Sequence, residues 1–268
     1  MKDEHHKSRF HDREHAAEFD RRSAKSEVRA ELTAKLVDAL RLEGKEIVLD
    51  LATGTGRVAR PAGKKLDRGR VVGVDEALAM LRVGHEHAEP IPGYRQIAAD
   101  AAALPFKPAT FDRAFVSFSL HHFGGPALVV GEVARVLKPK GRFVVLDPVV
   151  KEARDSVDRA LEEGINRVFR RTHGENFRFH SAASVRDLLI QAGFQIAGDE
   201  LLSYRFDQEG MEGIPTGRHW LETAEELEAA SPDLAQRLRE NYFRWERSGD
   251  AVRVEGDFFY ALVSGEKK

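Results

Sequence analysis

Short apolar runs alternate with longer amphipathic segments through the middle of the chain, between residues 46 and 147. The short runs are rich in β-branched and aromatic residues, whereas the longer segments repeat apolar residues every three or four positions. Strands are predicted at 46–51, 70–74, 94–98, 112–118 and 141–147, and helices at 56–66, 77–88 and 125–137. Strands that alternate with helices indicate an α/β fold with a doubly wound, mostly parallel sheet.

Different patterns flank this middle part. Residues 1–44 are highly charged and keep apolar positions at helical spacing, and Gly44 is where that helix is expected to end. Further helices are predicted at 152–170, 182–192 and 219–247, strands near 194–206 and at 258–263, and a turn at 138–141. The pattern divides the chain into an N-terminal helical cap (1–44), a core (45–150) and a C-terminal part (151–268) of lid helices and strands that complete the sheet.

Composition excludes several classes of function. The 268 residues include 42 Lys and Arg against 44 Asp and Glu, which lacks the basic surplus of most nucleic-acid-binding proteins. There is no cysteine, so disulfides, thiolate zinc sites and cysteine nucleophiles are excluded. No apolar run approaches the about 18 residues of a transmembrane helix, and the polar N-terminus lacks the apolar core of a signal peptide. A soluble, cytoplasmic protein is therefore expected.

The most informative segment is a small-residue turn after the first core strand. The apolar run at 47–49 ends on Asp50, and Ala52, Thr53, Gly54, Thr55 and Gly56 follow before the next helix. Glycines permit backbone conformations and close approaches that a Cβ would block, so the turn can present backbone groups to a small ligand. The Asp50 carboxylate would repel a pyrophosphate but attract a cation. This favours a cationic nucleoside, S-adenosylmethionine, over a dinucleotide.

Polar residues also follow the next three predicted strands. Asp75 ends the second strand, where an acid can accept hydrogen bonds from ribose hydroxyls. Asp100 and Ala101 follow the third strand, where a carboxylate and a backbone group could meet an adenine ring. The fourth strand delivers the loop from Ser117 to His122 to the same edge of the sheet, outside the carboxyl ends of the strands.

The chain here resembles a known family. The segments VLDLATGTG, VVGVDEALAML, AADAAALPF, FDRAFVSFSLHHF and EVARVLKPKGRFVVLD have the order and spacing of class I S-adenosylmethionine-dependent methyltransferases, and are most similar to the ubiquinone/menaquinone-biosynthesis type and its small-molecule relatives. The resemblance covers residues 45–150. It implies a Rossmann-like, seven-stranded, mostly parallel sheet with a final antiparallel strand, which the FFYALV segment fits.

The resemblance also implies a role for each motif. Gly54, Thr55 and Gly56 would surround the methionine part of the cofactor, with Asp50 near its ammonium group. Asp75 would hold the ribose. The cofactor-binding set implied is Asp50, Ala52, Thr53, Gly54, Thr55, Gly56, Asp75, Glu76, Met80, Asp100, Ala101, Ser117 and Phe118. Thr53 departs from the family pattern, because many relatives carry glycine at that position, and it makes the turn stiffer.

Methyl transfer from a sulfonium depends chiefly on alignment, which can supply up to about 7–11 kcal/mol of barrier reduction. A general base is needed only if the acceptor atom must lose a proton. His122 and His121 are the candidates, with a slight preference for His122. Metal is not expected, because His11 and His15 form an i, i+4 pair without a ligand framework. Phe10 and Phe19 could cover the pocket.

Several alternatives stay open. A nicotinamide-dependent oxidoreductase shares the GxGxxA pattern at 54–59, but Asp50 and the ADAAALPF and LKPKG segments argue against it. A non-catalytic module that binds S-adenosylmethionine cannot be separated by sequence alone. For an enzyme, the product is S-adenosylhomocysteine and the partner is a small-molecule acceptor. The acceptor pocket is sought in the aromatic and basic stretches 167–180 and 218–245, although aromatic residues at helical spacing are more typical of lid core. The sequence leaves a homodimer open.

Overall fold

The structure is a computed structural model that describes residues 10–86, 91–211, 217–249 and 251–268. The first nine residues of the predicted N-terminal cap lie outside these ranges. The strands are β1 (Ile47–Leu51), β2 (Arg70–Asp75), β3 (Tyr94–Ala98), β4 (Phe111–Ser117), β5 (Leu137–Val150), β6 (His180–Ser181), β7 (Phe194–Glu209), β8 (Phe243–Ser248) and β9 (Ala251–Lys267). The helices are α1 (Arg13–Ala24), α2 (Glu27–Ala39), α3 (Ala59–Gly63), α4 (Leu78–Glu86), α5 (Pro126–Val136), α6 (Ser156–His173), α7 (Ala182–Gln191), α8 (Gly217–Ala230) and α9 (Pro232–Asn241), with a short 3₁₀ turn at Leu120–His122.

One sheet runs through the described residues. Seven strands follow the order β3-β2-β1-β4-β5-β9-β7, in which β9 is antiparallel to both of its neighbours and the pairs from β3 to β5 are parallel. The expected doubly wound, mostly parallel sheet with a final antiparallel strand is confirmed. The expected count of seven was too low, because β6 adds to β5 and β8 adds to β9, which makes nine strands.

The core lies on both faces of this sheet. Adjacent residues of β1 point to opposite sides, with Val48 packed in the cluster that contains Leu36 of α2 and Leu49 packed in the cluster that contains Val133 of α5. A strand that is buried on both faces has a continuous run of apolar residues. Such runs could be recognised in the sequence, and for this reason the alternation of strands and helices was predicted correctly. Most polar groups of the candidate site therefore lie at or near the carboxyl ends of the strands, and Asp147, within β5, is an exception.

Three local predictions were wrong. The helix predicted at 219–247 is two helices followed by β8, in which buried Phe243 and Trp245 alternate with exposed side chains, the period of a strand. The helix predicted at 56–66 is only α3. Residues 138–141 were predicted as a turn but belong to β5, where they bulge outward because Phe111 pairs with Leu137 whereas Arg113 pairs with Arg142.

A separate aromatic cluster lies beyond the strand ends. It joins α6, α8, α9 and β8 around Phe169, Trp220 and Phe243, all of them buried. This cluster forms the wall that faces the glycine turn across a cavity. None of the helices that the structure describes is both long and apolar enough to cross a bilayer.

Candidate active site

The glycine turn connects β1 to α3 and has an unusual backbone. Ala52, Gly54 and Gly56 all have positive φ, of 51°, 54° and 76°. Ala52 bears the Cβ that this conformation disfavours, and such outliers occur preferentially at functional sites. α4 packs directly on the turn, since a Cβ on Gly84 would lie 2.6 Å from the Thr55 carbonyl oxygen. The packing of α4 thus fixes one side of the turn, and the other side faces the cavity.

Asp50 lies just under this turn and is almost fully buried. The Thr53 hydroxyl donates to Asp50 Oδ2 at 2.6 Å and lies 3.0 Å from the Tyr94 hydroxyl. Asp50 Oδ1 is buried and has no hydrogen-bond partner among the residues that the structure describes. Burial raises the pKa of Asp50 well above its usual value, and the Thr53 hydrogen bond offsets only part of that effect. A buried carboxyl group with one free oxygen is complementary to a cationic ligand.

Thr53 therefore does more than stiffen the turn. Its hydroxyl links Asp50 to Tyr94, a residue of β3 that the sequence analysis did not single out. A Cβ on Gly56 would lie 2.5 Å from the Tyr94 hydroxyl oxygen, so that glycine makes room for the tyrosine. Burial raises the pKa of Tyr94, which keeps the hydroxyl protonated and able to donate.

Asp75 closes the other side of the turn from the end of β2. Its Oδ2 accepts a hydrogen bond from the Gly54 amide and its Oδ1 accepts one from the Ala77 amide, both at 2.8 Å. Burial raises the pKa of Asp75 despite these two bonds. A carboxylate offers about four lone-pair positions, so each oxygen can still accept a second hydrogen bond. That geometry suits two adjacent hydroxyls of a ribose.

The ends of β3 and β4 complete the rim. Asp100 is exposed, and its Oδ1 accepts a hydrogen bond from the Ala102 amide at 2.8 Å. Phe118, directly after Ser117, has φ of 52°, a strained value for a bulky side chain. Its amide still donates to the Leu146 carbonyl at 2.8 Å, so the strand continues to the point where the chain turns toward the histidines.

His121 forms a buried pair with Asp147. The distance from His121 Nδ1 to Asp147 Oδ2 is 2.9 Å, and the amides of Leu120 and His121 donate to the same carboxylate at 3.2 and 3.1 Å. With the carboxylate accepting, Nδ1 carries the proton and Nε2 keeps its lone pair. The sequence analysis missed Asp147, although it ends the FVVLD run as Asp50 and Asp75 end theirs.

One large cavity, of about 1670 Å³, connects these features. Almost the whole predicted cofactor set lines it: Ala52, Thr53, Gly54, Thr55, Asp75, Glu76, Met80, Asp100, Ala101, Ser117 and Phe118, together with His121 and His122. The two exceptions are Asp50 and Gly56, which lie beneath the wall. Single-ligand pockets usually occupy about 300–1,000 Å³, so this cavity has room for two reactants.

The far wall of the cavity is aromatic. His173, Phe177, Phe179, His219, Trp220 and Tyr242 line it. The ring centroids of His121 and Phe177 are 5.1 Å apart, so this wall begins at the His121–Asp147 pair. Phe169, Phe243 and Trp245 are lid core instead. The two predicted stretches thus supply both lining and core residues, and periodicity alone could not separate them.

The N-terminal segment lies over the cofactor rim. Phe10 and Phe19 line the cavity and pack with Ala77 and Met80. Phe10 also contacts His122 edge to face, with ring centroids 5.6 Å apart. Among the described residues, no group of three or more metal-binding side chains is arranged to hold an ion.

Fold and rim together define an α/β protein of the Rossmann-like class, with its ligand site at the carboxyl ends of parallel strands. A family model described as a methyltransferase domain matches residues 48–141. The chain is 41% identical over 102 residues to a demethylmenaquinone methyltransferase of Corynebacterium kroppenstedtii, which is 38% of this chain and 42% of that protein. It is 32% identical over 172 residues to a ubiquinone/menaquinone biosynthesis C-methyltransferase of an Enterobacter species, 59% of this chain and 68% of that protein.

The solved structure of the YcgJ protein from Bacillus subtilis superposes with a TM-score of 0.72 at 22% identity, over 89% of this chain and 99% of that one, which supports the fold. The chain belongs to the class I S-adenosylmethionine-dependent methyltransferases of the ubiquinone/menaquinone-biosynthesis type. It nevertheless spans less than half the length of the Corynebacterium relative.

The residues present fit the family's cofactor, S-adenosylmethionine. Asp50 Oδ1 is buried without a hydrogen-bond partner among the described residues, and a cationic methionine part bound above the turn would interact favourably with it. Asp75 has lone pairs left for ribose hydroxyls, and Met80 lines the cavity where a base would lie. Asp75 would suit the ribose of either cofactor, whereas the Asp50 carboxyl group beneath the glycine turn would be unfavourable beside the pyrophosphate of a nicotinamide dinucleotide, and the relatives are methyltransferases. The oxidoreductase alternative is therefore not favoured.

Proposed function

We propose that this protein transfers a methyl group from S-adenosylmethionine to a small-molecule acceptor held against the aromatic wall. The observation that carries this proposal is the continuity of one cavity from the glycine turn and Asp75 to the His121–Asp147 pair. Donor and acceptor can then lie in line within one enclosure. When bound, the cofactor supplies an activated methyl group on a sulfonium.

The chain's own contribution is chiefly alignment. Asp75 and the glycine turn hold the nucleoside, and the strained Phe118 directs the chain from β4 toward the histidines. Phe177 and Phe179 confine the acceptor on the opposite side and exclude water. Alignment of this kind is worth up to about 7–11 kcal/mol of barrier reduction.

His121 is the proposed base for an acceptor that must lose a proton. Asp147 fixes the ring so that Nε2 is the accepting nitrogen, and it stabilises the imidazolium that forms once the proton is taken. General-base catalysis contributes about 10²–10⁴-fold. His122 also lines the cavity, with its ring centroid 4.2 Å from that of His121, and stays the alternative base.

The acceptor is proposed to be a planar, ring-containing molecule with an acidic proton. The support is the wall of Phe177, Phe179 and Trp220, since aromatic pairs prefer ring planes at defined offsets. Two relatives carry names of quinone-biosynthesis methyltransferases, so a quinol ring is the first acceptor to try.

The test is methyl transfer from labelled S-adenosylmethionine to a panel of phenols, quinols and amines, with S-adenosylhomocysteine as the second readout. We expect turnover with a ring hydroxyl or an activated ring carbon. Asp147→Asn should lower kcat by about 10²–10⁴-fold and leave S-adenosylhomocysteine affinity within about twofold. His121→Gln and His122→Gln separate the two candidate bases, and equal kcat values in His121→Gln and the wild type would exclude His121. Tight cofactor binding without any turnover would favour a binding module.

A further inference from the structure

Arg29 is a cation in the cavity wall that the proposed chemistry has not used. It lies in the first turn of α2, lines the cavity and is partly buried. Its guanidinium carbon lies 4.4 Å from the centroid of the Phe118 ring and 5.5 Å from that of the Phe19 ring. The two rings hold the guanidinium plane over the end of β4.

Arg29 has no salt-bridge partner among the described residues, since none of them places a carboxylate oxygen within salt-bridge distance of its guanidinium. Asp147 acts on the charge only at longer range. Burial lowers the pKa of Arg29, as expected for a charge removed from water without an anionic partner. Cation–π contacts stabilise such a charge only in part.

Two other arginines near the turn, Arg57 and Arg60, are already engaged. Arg57 forms a two-point salt bridge with Asp20, at 2.8 and 2.7 Å. Arg60 donates to the carbonyl oxygens of Thr55 and Gly84. These two side chains hold the cap and α4 in place. Arg29 differs because it lines the cavity and its guanidinium has no hydrogen-bond acceptor among the residues that the structure describes.

We propose that Arg29 binds the α-carboxylate of the cofactor's methionine part, an inference that rests on the proposed function. Phe118, on which Arg29 stacks, directly follows Ser117 at the strand end expected to face the methionine part. A planar guanidinium can donate two parallel hydrogen bonds to a carboxylate, and the stacking leaves its edges free to do so. Asp50 on the opposite side would complement the ammonium group, so the site holds both ends of the amino acid.

The experiment compares two ligands that differ in that group. S-Adenosylhomocysteine carries the amino acid carboxylate, whereas 5′-methylthioadenosine keeps the nucleoside and sulfur but lacks the amino acid. Both are titrated calorimetrically into the wild type, Arg29→Gln, Arg29→Lys and the control Arg21→Gln. Arg21 is an exposed arginine of α1 outside the cavity lining, so its removal changes net charge alone.

We expect Arg29→Gln to weaken S-adenosylhomocysteine binding by about 10- to 100-fold, the loss of a charge-assisted hydrogen bond, and to leave 5′-methylthioadenosine within about twofold. Arg29→Lys should fall between Arg29→Gln and the wild type, and Arg21→Gln should match the wild type. Retained nucleoside binding also shows that the variant is folded.

Three results would overturn the assignment. The first is an unchanged affinity of Arg29→Gln for S-adenosylhomocysteine, and the second is an equal loss of affinity for both ligands. The third is a rise in the KM for the acceptor as the sole effect, which would mean that Arg29 binds an anionic group of the acceptor. A wild type that binds neither ligand would instead refute the proposed function itself.

Discussion

Asp75 should determine how tightly the protein holds any adenosine ligand. In Asp75→Asn the amide oxygen can replace one carboxylate oxygen, but the amide nitrogen must face either the Gly54 or the Ala77 amide, which now donate at 2.8 Å. One backbone N–H loses its acceptor and the ribose loses a charged partner. A hydrogen bond to a charged group is worth about 1.5–3 kcal/mol, so affinity should fall by about 10- to 150-fold.

The assay is calorimetric titration with S-adenosylhomocysteine and 5′-methylthioadenosine. Both carry the ribose, so both should weaken together in Asp75→Asn, unlike the selective loss expected for Arg29→Gln. Asp67→Asn, which changes an exposed acid in the loop that precedes β2, is the matched control and should behave as wild type. Unchanged affinity for both ligands in Asp75→Asn would refute the assignment of the ribose to this carboxylate.

Two further substitutions test the packing and the charge beneath the turn. Gly84→Ala should lower the unfolding free energy by about 1–3 kcal/mol in denaturant titrations, because its Cβ would lie 2.6 Å from a backbone oxygen. Gly131→Ala, at a position of α5 where a Cβ would meet no neighbouring atom, should raise the unfolding free energy by about 0.5–1 kcal/mol. Equal effects of the two substitutions would contradict the packing argument. Burial raises the pKa of Asp50 in the folded state above its usual value of 3.8. The protonated Asp50 carboxyl group therefore contributes fully to the stability of the apoprotein below pH 3.8, and this contribution is lost as the pH rises through the folded-state pKa. The Tm of the wild type minus that of Asp50→Asn should therefore decrease as pH rises from about 4 to about 8, and a difference that grows with pH would show the opposite sign.

The middle of the fold was predictable because its central strands, such as β1, are buried on both faces. Val48 and Leu49 must both be apolar when helices cover the two sides, and the acids at strand ends stand out against such runs. Asp50, Asp75 and the glycine turn were recognisable for this reason. The same rule applies to Asp147, which was overlooked.

The lid was harder to predict because some of its aromatic residues form its core and others line the cavity. Phe169 and Phe177 lie eight residues apart and stack on each other, yet only Phe177 lines the cavity. Which side of a ring faces the cavity depends on the packing of α6 against α8, a tertiary property. β8 was missed for a similar reason, since its strand character depends on pairing with β9.

Partner relationships across the chain were beyond sequence reasoning. Tyr94 meets Thr53 across 41 residues and His121 meets Asp147 across 26. Arg29 looked like one charge among many in a polar helix. What distinguishes it is visible only in the fold: two aromatic rings pack on its guanidinium, and no carboxylate of the described residues lies within salt-bridge distance.

The most direct measurement of the central claim is a calorimetric titration of the wild-type protein with S-adenosylhomocysteine and, separately, with NADH. We expect one molecule of S-adenosylhomocysteine to bind per chain and NADH to show no saturable heat. Saturable binding of NADH, or no binding of S-adenosylhomocysteine at millimolar concentration, would contradict the claim that this rim holds a cationic sulfur nucleoside.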